Sequence, residues 1–192
     1  MNQKIIRVGH INLNEAYQKM LIWFFCFPDK EFSLNEISNS LNISKTTANK
    51  VIKELKNEGF LSIEVLGKIW RISSNRYHFY NFSRKISYNL MMLYNSGIIE
   101  EIKKSVGNPR AIILFGSYRK GDDNEKSDID IAVEVLGNKE PRIIEFGVID
   151  KFLYRKNVVI NLHIFSRNKV DLNLFSNIAN GIILDGFLEV KI

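Results

Sequence analysis

The chain has 192 residues, of which 45% are hydrophobic and 25% are charged, a balance typical of a soluble globular protein. Its net charge of +6 favours a polyanionic partner such as nucleic acid or a nucleotide. The single cysteine, Cys26, excludes a disulfide or zinc framework within one chain, and we expect it to be buried. The longest apolar run, residues 20–27, is too short for a membrane helix. No secretory signal is recognisable, so we expect a cytoplasmic protein.

Residues 1–74 are predicted to form a small helical domain that ends in a β-hairpin. Apolar residues recur at helical spacing before Pro28, and Ser33 and Glu36 form a capping box that begins the next helix. Gly67 and Lys68 supply the hairpin turn. The predicted elements are helices over residues 13–27, 33–41 and 44–58, and strands over residues 60–66 and 69–73.

The third predicted helix has an apolar face and a basic face. The candidate DNA contacts are Lys45, Thr46, Asn49, Lys50 and Lys53 on the helix, with Lys68 at the hairpin tip. This arrangement resembles winged helix-turn-helix regulators of the MarR or ArsR type, in which the third helix contacts bases and the hairpin contacts phosphates. The resemblance implies a double-stranded DNA partner. A solvated lysine face on a structural domain is the alternative.

Residues 75–106 are predicted to form a helical connector between two domains. The segment from Asn75 to Asn95 is rich in aromatic and aliphatic residues, which favours packing in a core over a base-stacking platform. Gly97 separates it from a second helix that ends near Val106.

The most specific pattern lies between Ile112 and Val133. The apolar run 111–115 predicts a buried strand, and it ends at Gly116 and Ser117, where a backbone without Cβ could approach a phosphate closely. Arg119 and Lys120 follow in a short basic loop and could neutralise phosphate charge.

A second strand is predicted to begin near Ser127-Asp128-Ile129-Asp130. Since side chains alternate along a strand, both carboxylates point to the same face. Two ionised carboxylates side by side are costly unless a cation lies between them, and Mg²⁺ prefers such oxygen ligands. Two solvated aspartates are the alternative interpretation of this motif taken alone.

Together, Gly116-Ser117 and Asp128-Ile129-Asp130 resemble the minimal nucleotidyltransferases of the DNA polymerase beta and kanamycin nucleotidyltransferase superfamily. That family transfers a nucleoside monophosphate from a nucleoside triphosphate using two Mg²⁺ ions. The resemblance implies that Gly116 and Ser117 bind the triphosphate and that Asp128 and Asp130 bind metal and are catalytic. Arg119 and Lys120 in the basic loop complete the predicted nucleotide-binding residues.

The chain departs from this family at its third carboxylate. A helix is predicted over residues 142–154 and a strand over residues 158–165, and Asn161 occupies the expected carboxylate position in that strand, with His163 two residues on. Because Asn cannot accept a proton, we expect weak transfer or none, and a doubtful second metal. Residues 172–192 predict a helix, a turn at Asn180 and an apolar hairpin.

The predicted fold is α+β with two domains, residues 1–74 and a mixed sheet flanked by helices over residues 107–192. Archaeal proteins that join such modules are similar. The leading hypothesis is a DNA-binding nucleotidyltransferase acting on an unidentified acceptor. Alternatives are a transcriptional regulator with a degenerate nucleotide-sensing or dimerisation domain, and an antitoxin-like module acting on a toxin partner. The sequence leaves a homodimer open.

Overall fold

The computed structural model describes residues 14–67, 69–138 and 140–189. Its N-terminal part contains the helices α1 (Glu15–Cys26), α2 (Leu34–Leu41) and α3 (Lys45–Asn57). Each helix begins at a side-chain cap, because Asn14, Ser33 and Ser44 each accept a hydrogen bond from the backbone amide three residues further on. The three predicted helices are therefore confirmed.

A two-stranded antiparallel sheet follows, formed by β1 (Leu61–Leu66) and β2 (Ile69–Ser74). An isolated bridge between Phe32 and Ile72 attaches this hairpin to the helices. Helices and hairpin share one apolar core, whose buried members include Tyr17, Met20, Phe24, Ile37, Ile52, Leu55, Phe60 and Ile72. The order of three helices and a hairpin is the order that the sequence predicts.

The connector is less helical than the sequence predicts. Residues 75–83 form turns, and α4 (Arg84–Asn95) begins only after them, whereas α5 (Ile98–Val106) begins and ends close to the predicted positions. The buried Asn81 amide donates to three backbone carbonyls of the turn segment. Asn side chains that bond to the nearby backbone compete with helix formation, which accounts for the late helix start.

The aromatic residues of the turn segment are partly exposed. Tyr77, Phe79 and Phe82 are 91%, 66% and 51% exposed, so the prediction that they pack in a core is wrong for these three. Tyr80, by contrast, packs on Phe60 with the ring centroids 5.7 Å apart. Turns do not present one continuous face to the core, so some aromatic side chains of this segment pack against the core and others are exposed to solvent.

The C-terminal part contains a five-stranded mixed sheet in the order β5-β6-β4-β3-β7. The strands are β3 (Ala111–Phe115), β4 (Ile129–Glu134), β5 (Arg142–Phe152), β6 (Arg155–Phe165) and β7 (Ile182–Gly186). β4 and β6 are parallel, and the other neighbours are antiparallel. Two helices, α6 (Gly116–Lys120) and α7 (Leu172–Ala179), complete this part. Arg119 and Lys120 lie in α6, so the prediction of a loop at these residues is wrong. Within the described ranges, no helix is long and apolar enough to cross a membrane.

The two faces of the sheet differ in polarity. One face packs against α4 and α5 in a continuous core to which β3 contributes Ile112 and Leu114. On the other face, Ile113 and Phe115 belong to a smaller cluster that includes Ile178 of α7. That smaller cluster covers only part of its face, and the remaining part carries polar side chains.

The segment predicted as a helix over residues 142–154 is strand β5, so this prediction is wrong. β5 forms an antiparallel hairpin with β6, and Leu153, with φ +58°, lies in the tight turn between them. Apolar residues at Ile144, Phe146 and Ile149 have a spacing that fits a helix as well as a strand with one bulge. Pairing with β6, which only the tertiary structure supplies, decides between the two.

The C-terminal segment also pairs differently from the prediction. The helix and the turn before β7 are present, but β7 pairs with β3, with Ile182 opposite Leu114. The predicted terminal hairpin is therefore wrong within the described residues, and its last part, residues 190–192, lies outside them.

A buried charge network joins the connector to the C-terminal sheet. Asp123 is fully buried between Lys85 of α4, 3.3 Å away, and Arg155 of β6, 2.9 Å away. Asn89 of α4 also donates to the Asp123 carboxylate at 3.1 Å. Because Asp123 lies in the loop between α6 and β4, these contacts fix that loop against α4.

Candidate active site

Gly116 brings the end of β3 against a carboxylate of the neighbouring strand. Its φ is +70°, a conformation that favours glycine, and a Cβ there would lie 2.7 Å from Asp130 Oδ2. The pairing of Phe115 with Asp130 across the two strands produces this close contact. The glycine is therefore required by both backbone conformation and space, and it places the Gly-Ser turn, which forms the first residues of α6, beside Asp130.

Asp128 and Asp130 lie at the start of β4. Asp130 belongs to the strand and is partly buried, while Asp128 immediately precedes it and is exposed. The alternation of the strand places both side chains on the polar face of the sheet, as the sequence predicts.

The parallel neighbour β6 provides a hydrogen-bond partner for each carboxylate. The Asn161 side-chain amide donates to Asp128 Oδ2 at 3.2 Å, and His163 Nε2 lies 3.2 Å from Asp130 Oδ1. In each contact the two residues are 33 positions apart in the chain. The separation is constant because β4 and β6 run parallel, so that both strands advance together. Asn161, the residue at the predicted third carboxylate position, therefore lies within the cluster.

The imidazole of His163 is held in one orientation. Its ring stacks edge-on against Phe115 with the centroids 4.8 Å apart, and its side chain is 16% exposed. Nδ1 is buried and has no hydrogen-bond partner among the described residues. His163 thus resembles a packed structural histidine more than a solvent-facing one.

Gly116 also lines a basic cavity of about 260 Å³. Arg119 and Lys120 of α6 line it, as do Asn177 and Asn180 at the end of α7. The two asparagines were not predicted as site residues, and the only sequence signal near them is the turn after Asn180. Ser117, the other predicted phosphate contact, is partly buried on α6 but does not line this cavity.

The donor set suits a cation that takes part of its ligands from elsewhere. Within residues 14–67, 69–138 and 140–189, no three Asp, Glu, His or Cys side chains are close enough to hold a metal ion by themselves. Mg²⁺ commonly binds through one or two carboxylates and completes its octahedron with phosphate oxygens and water. Asp128 and Asp130 fit that pattern, with a triphosphate as the source of further oxygens.

The predicted DNA contacts that the structure describes all lie on α3, in the N-terminal part of the chain. Lys45, Thr46, Lys50 and Lys53 are exposed, and Asn49 is partly buried. Thr46, Lys50 and Lys53 share the side of α3 opposite the buried Ala48, Val51, Ile52 and Leu55, and Lys45 is the first residue of the helix. Lys68 lies outside the described residues.

The C-terminal part of the chain is similar to a known family. Residues 97–186 match the family described as polymerase beta, nucleotidyltransferase. The matched range begins at the glycine before α5 and ends with β7, and it contains the Gly-Ser turn, both aspartates and β6. We refer to it below as the nucleotidyltransferase-type domain.

A relative from Methanocaldococcus jannaschii bears the name "Putative protein adenylyltransferase" and is 39% identical over 54 residues. The similarity covers 28% of this chain and 54% of the relative, so the chain spans about half the length of the curated relative that it matches.

Proposed function

We propose that the nucleotidyltransferase-type domain transfers a nucleoside monophosphate from a nucleoside triphosphate to a hydroxyl group. The observation that carries this proposal is the packing of Gly116 against Asp130, where a Cβ would lie 2.7 Å from the carboxylate. That contact sets a turn, with the cations Arg119 and Lys120 just beyond it, beside the carboxylates. A triphosphate and its Mg²⁺ need cations and carboxylates in this proximity.

In the proposed reaction, the acceptor oxygen attacks the α-phosphorus and forms a new P–O bond. The bond from that phosphorus to the bridging oxygen breaks, and pyrophosphate leaves with the electron pair. Arg119 and Lys120 are proposed to pair with the outer phosphate oxygens and so orient the leaving group. Asp128 and Asp130 would hold Mg²⁺, which supplies Lewis-acid activation of the phosphoryl oxygen when bound.

We propose a protein hydroxyl as the acceptor and ATP as the donor. The name of the Methanocaldococcus jannaschii relative specifies adenylyl transfer to a protein, which corresponds to ATP as donor and a protein as acceptor. That relative is 39% identical to this chain over 54 residues. Minimal nucleotidyltransferases, which this domain resembles, often act as antitoxins that nucleotidylate a toxin, and such a toxin would be one acceptor of this class.

The test is transfer of label from each of the four α-labelled nucleoside triphosphates, with Mg²⁺, to candidate proteins. We expect ATP to be the preferred donor, and we expect Asp128→Asn or Asp130→Asn to lower transfer by about 100-fold or more. The matched control is Asp150→Asn, which removes an exposed carboxylate from β5. Transfer that survives both site variants would reject this assignment, and nucleotide binding without transfer would favour the nucleotide-sensing regulator.

We also propose that α3 binds double-stranded DNA. The support is the exposure of Lys45, Lys50 and Lys53 on the side of the helix that does not face the core. A helix held on its apolar side by a compact core and basic on the other can enter a major groove. Exposed lysines that bind phosphate contribute a salt-dependent, sequence-independent part of the affinity.

DNA binding is tested by titrating labelled duplex DNA at several salt concentrations. Replacing Lys45, Lys50 and Lys53 by Ala should weaken binding and reduce the salt slope by roughly 0.9 for each phosphate that is no longer neutralised. A variant with the same change of charge elsewhere, at Lys104, Lys126 and Lys151, is the control. Equal effects of the two triple variants would show that only net charge matters.

A further inference from the structure

The register of β5 places a carboxylate beside the candidate active site that the predicted helix would have placed elsewhere. Glu145 is directly opposite Asn161 of β6, and Asn161 is in turn beside Asp130 of β4. Residues opposite one another in a sheet point to the same face. Glu145, Asn161 and Asp130 therefore form one row on the polar face of the sheet.

The proposed transfer needs a proton acceptor, and the candidates are the side chains of this row and His163. A protein or water hydroxyl loses its proton as it attacks phosphorus, and a positioned base speeds such a step by about 10²- to 10⁴-fold. The amide of Asn161 cannot take up that proton, and its nitrogen already donates to Asp128 at 3.2 Å. Asp128 and Asp130 are the proposed metal ligands.

His163 is poorly placed for this role. If its Nε2 donates a hydrogen to Asp130, the lone pair that could accept a proton is on Nδ1. Nδ1 is buried with no partner among the described residues. An incoming acceptor hydroxyl could not reach it without displacing the ring from Phe115.

Glu145 has the opposite properties. Its side chain is exposed, and its carboxylate makes no hydrogen bond or ion pair with the residues that the structure describes. A bulge follows it at once, where the register with β6 shifts between Glu145 and Gly147. Bulges turn the adjacent side chain and are common beside active sites.

The spacing of the row also leaves room for an acceptor. Strands lie about 4.8 Å apart, so the Glu145 and Asp130 backbones are separated by roughly 10 Å, with the short Asn161 side chain between them. A hydroxyl above Asn161 could therefore approach a metal-bound nucleotide on one side and a carboxylate on the other.

We propose that Glu145 is the general base of the transfer reaction, an inference that rests on the proposed function. As the acceptor oxygen forms its bond to the α-phosphorus, its proton passes to the Glu145 carboxylate, and pyrophosphate departs with the electron pair of the broken P–O bond. The carboxylate then returns the proton to water. The base thus comes from β5, one strand beyond Asn161.

The test uses the full chain with α-labelled ATP and Mg²⁺, and with water or N-acetyl-tyrosinamide as the acceptor. Glu145→Gln should lower kcat by about 10²- to 10⁴-fold and leave the ATP affinity, measured by calorimetry, unchanged. Asp150→Asn on the same strand should change neither quantity.

A double variant separates a chemical role from a structural one. Adding Asn161→Asp to Glu145→Gln returns a carboxylate to the row and should raise the rate of the single variant by at least about tenfold. Native turnover in Glu145→Gln would overturn the proposal, and so would an equal decrease in Asp150→Asn. If the native protein bound ATP and Mg²⁺ without turnover on either acceptor, or did not bind them, the proposed function would be rejected and the role of Glu145 with it.

Discussion

Replacing Asp123 by Asn removes the anion from the buried network that joins the connector to the sheet. In the native protein this carboxylate is fully buried, 3.3 Å from the Lys85 amine and 2.9 Å from the Arg155 guanidinium. Asn preserves the shape but not the charge, so two buried cations lose their common counter-ion. The guanidinium still lies over the Tyr118 ring, 4.7 Å from its centroid, which offsets only part of the destabilisation.

The expected cost follows from the burial of all three groups. The side chains of Lys85, Asp123 and Arg155 are 2%, 0% and 2% exposed, so water cannot replace the missing anion. Breaking a buried ion pair by removing one partner costs about 3–5 kcal/mol of unfolding free energy. At roughly 2–4 °C per kcal/mol for a chain of this size, the melting temperature should fall by about 6–20 °C.

Urea unfolding of native and Asp123→Asn protein measures this destabilisation. Glu101→Gln is the control, because it breaks an ion pair with Lys104 whose side chains are 60% and 72% exposed. Exposed pairs of this kind contribute about 0–1 kcal/mol. If Asp123→Asn cost no more than Glu101→Gln, the buried network would not stabilise the junction and the reasoning would fail.

The destabilisation in Asp123→Asn should shrink as the pH becomes alkaline. Burial already lowers the pKa of Lys85 in the native protein, and the negative charge of Asp123 opposes that effect. Without Asp123, the Lys85 pKa falls further below its value in the unfolded chain. Between the folded and unfolded pKa values the folded chain binds fewer protons at this amine, so the free energy of unfolding of the variant rises with pH there. Arg155 keeps its charge, so recovery should be partial, and urea unfolding at neutral and alkaline pH would measure it.

Two further predictions concern single residues. Gly116→Ala should destabilise the fold by more than Gly67→Ala and weaken nucleotide binding, because both glycines have positive φ but only the new Cβ at Gly116 would meet Asp130, 2.7 Å from its Oδ2. Positive φ alone costs about 1–2 kcal/mol, so equal decreases in unfolding free energy would show that the Asp130 contact is unimportant. Burial raises the pKa of the Cys26 thiol, so Ellman's reagent should label it only after unfolding. Rapid stoichiometric labelling of native protein would contradict its burial.

The sequence by itself determined the local elements whose signals are local. Caps at Ser33 and Ser44 define where α2 and α3 begin, and both helices form where those caps predict. The strand that ends before Gly116 and the strand that carries Asp130 were likewise predicted from local patterns, although α6 replaces the loop expected after Gly116 and Ser117. Each of these depends on interactions between residues a few positions apart, which sequence patterns record.

Only the tertiary structure decided what depends on partners distant in the chain. Residues 142–152 have spacing that suits helix or strand, and pairing with β6 makes them a strand. That pairing places Glu145 beside Asn161, a contact that no local pattern encodes. The burial of Asp123 is similar, since its two cations come from α4 and β6. The Gly-Ser and Asp-x-Asp motif could be predicted because its residues lie within one short stretch of sequence. The row of Glu145, Asn161 and Asp130 is instead set by strand order and register.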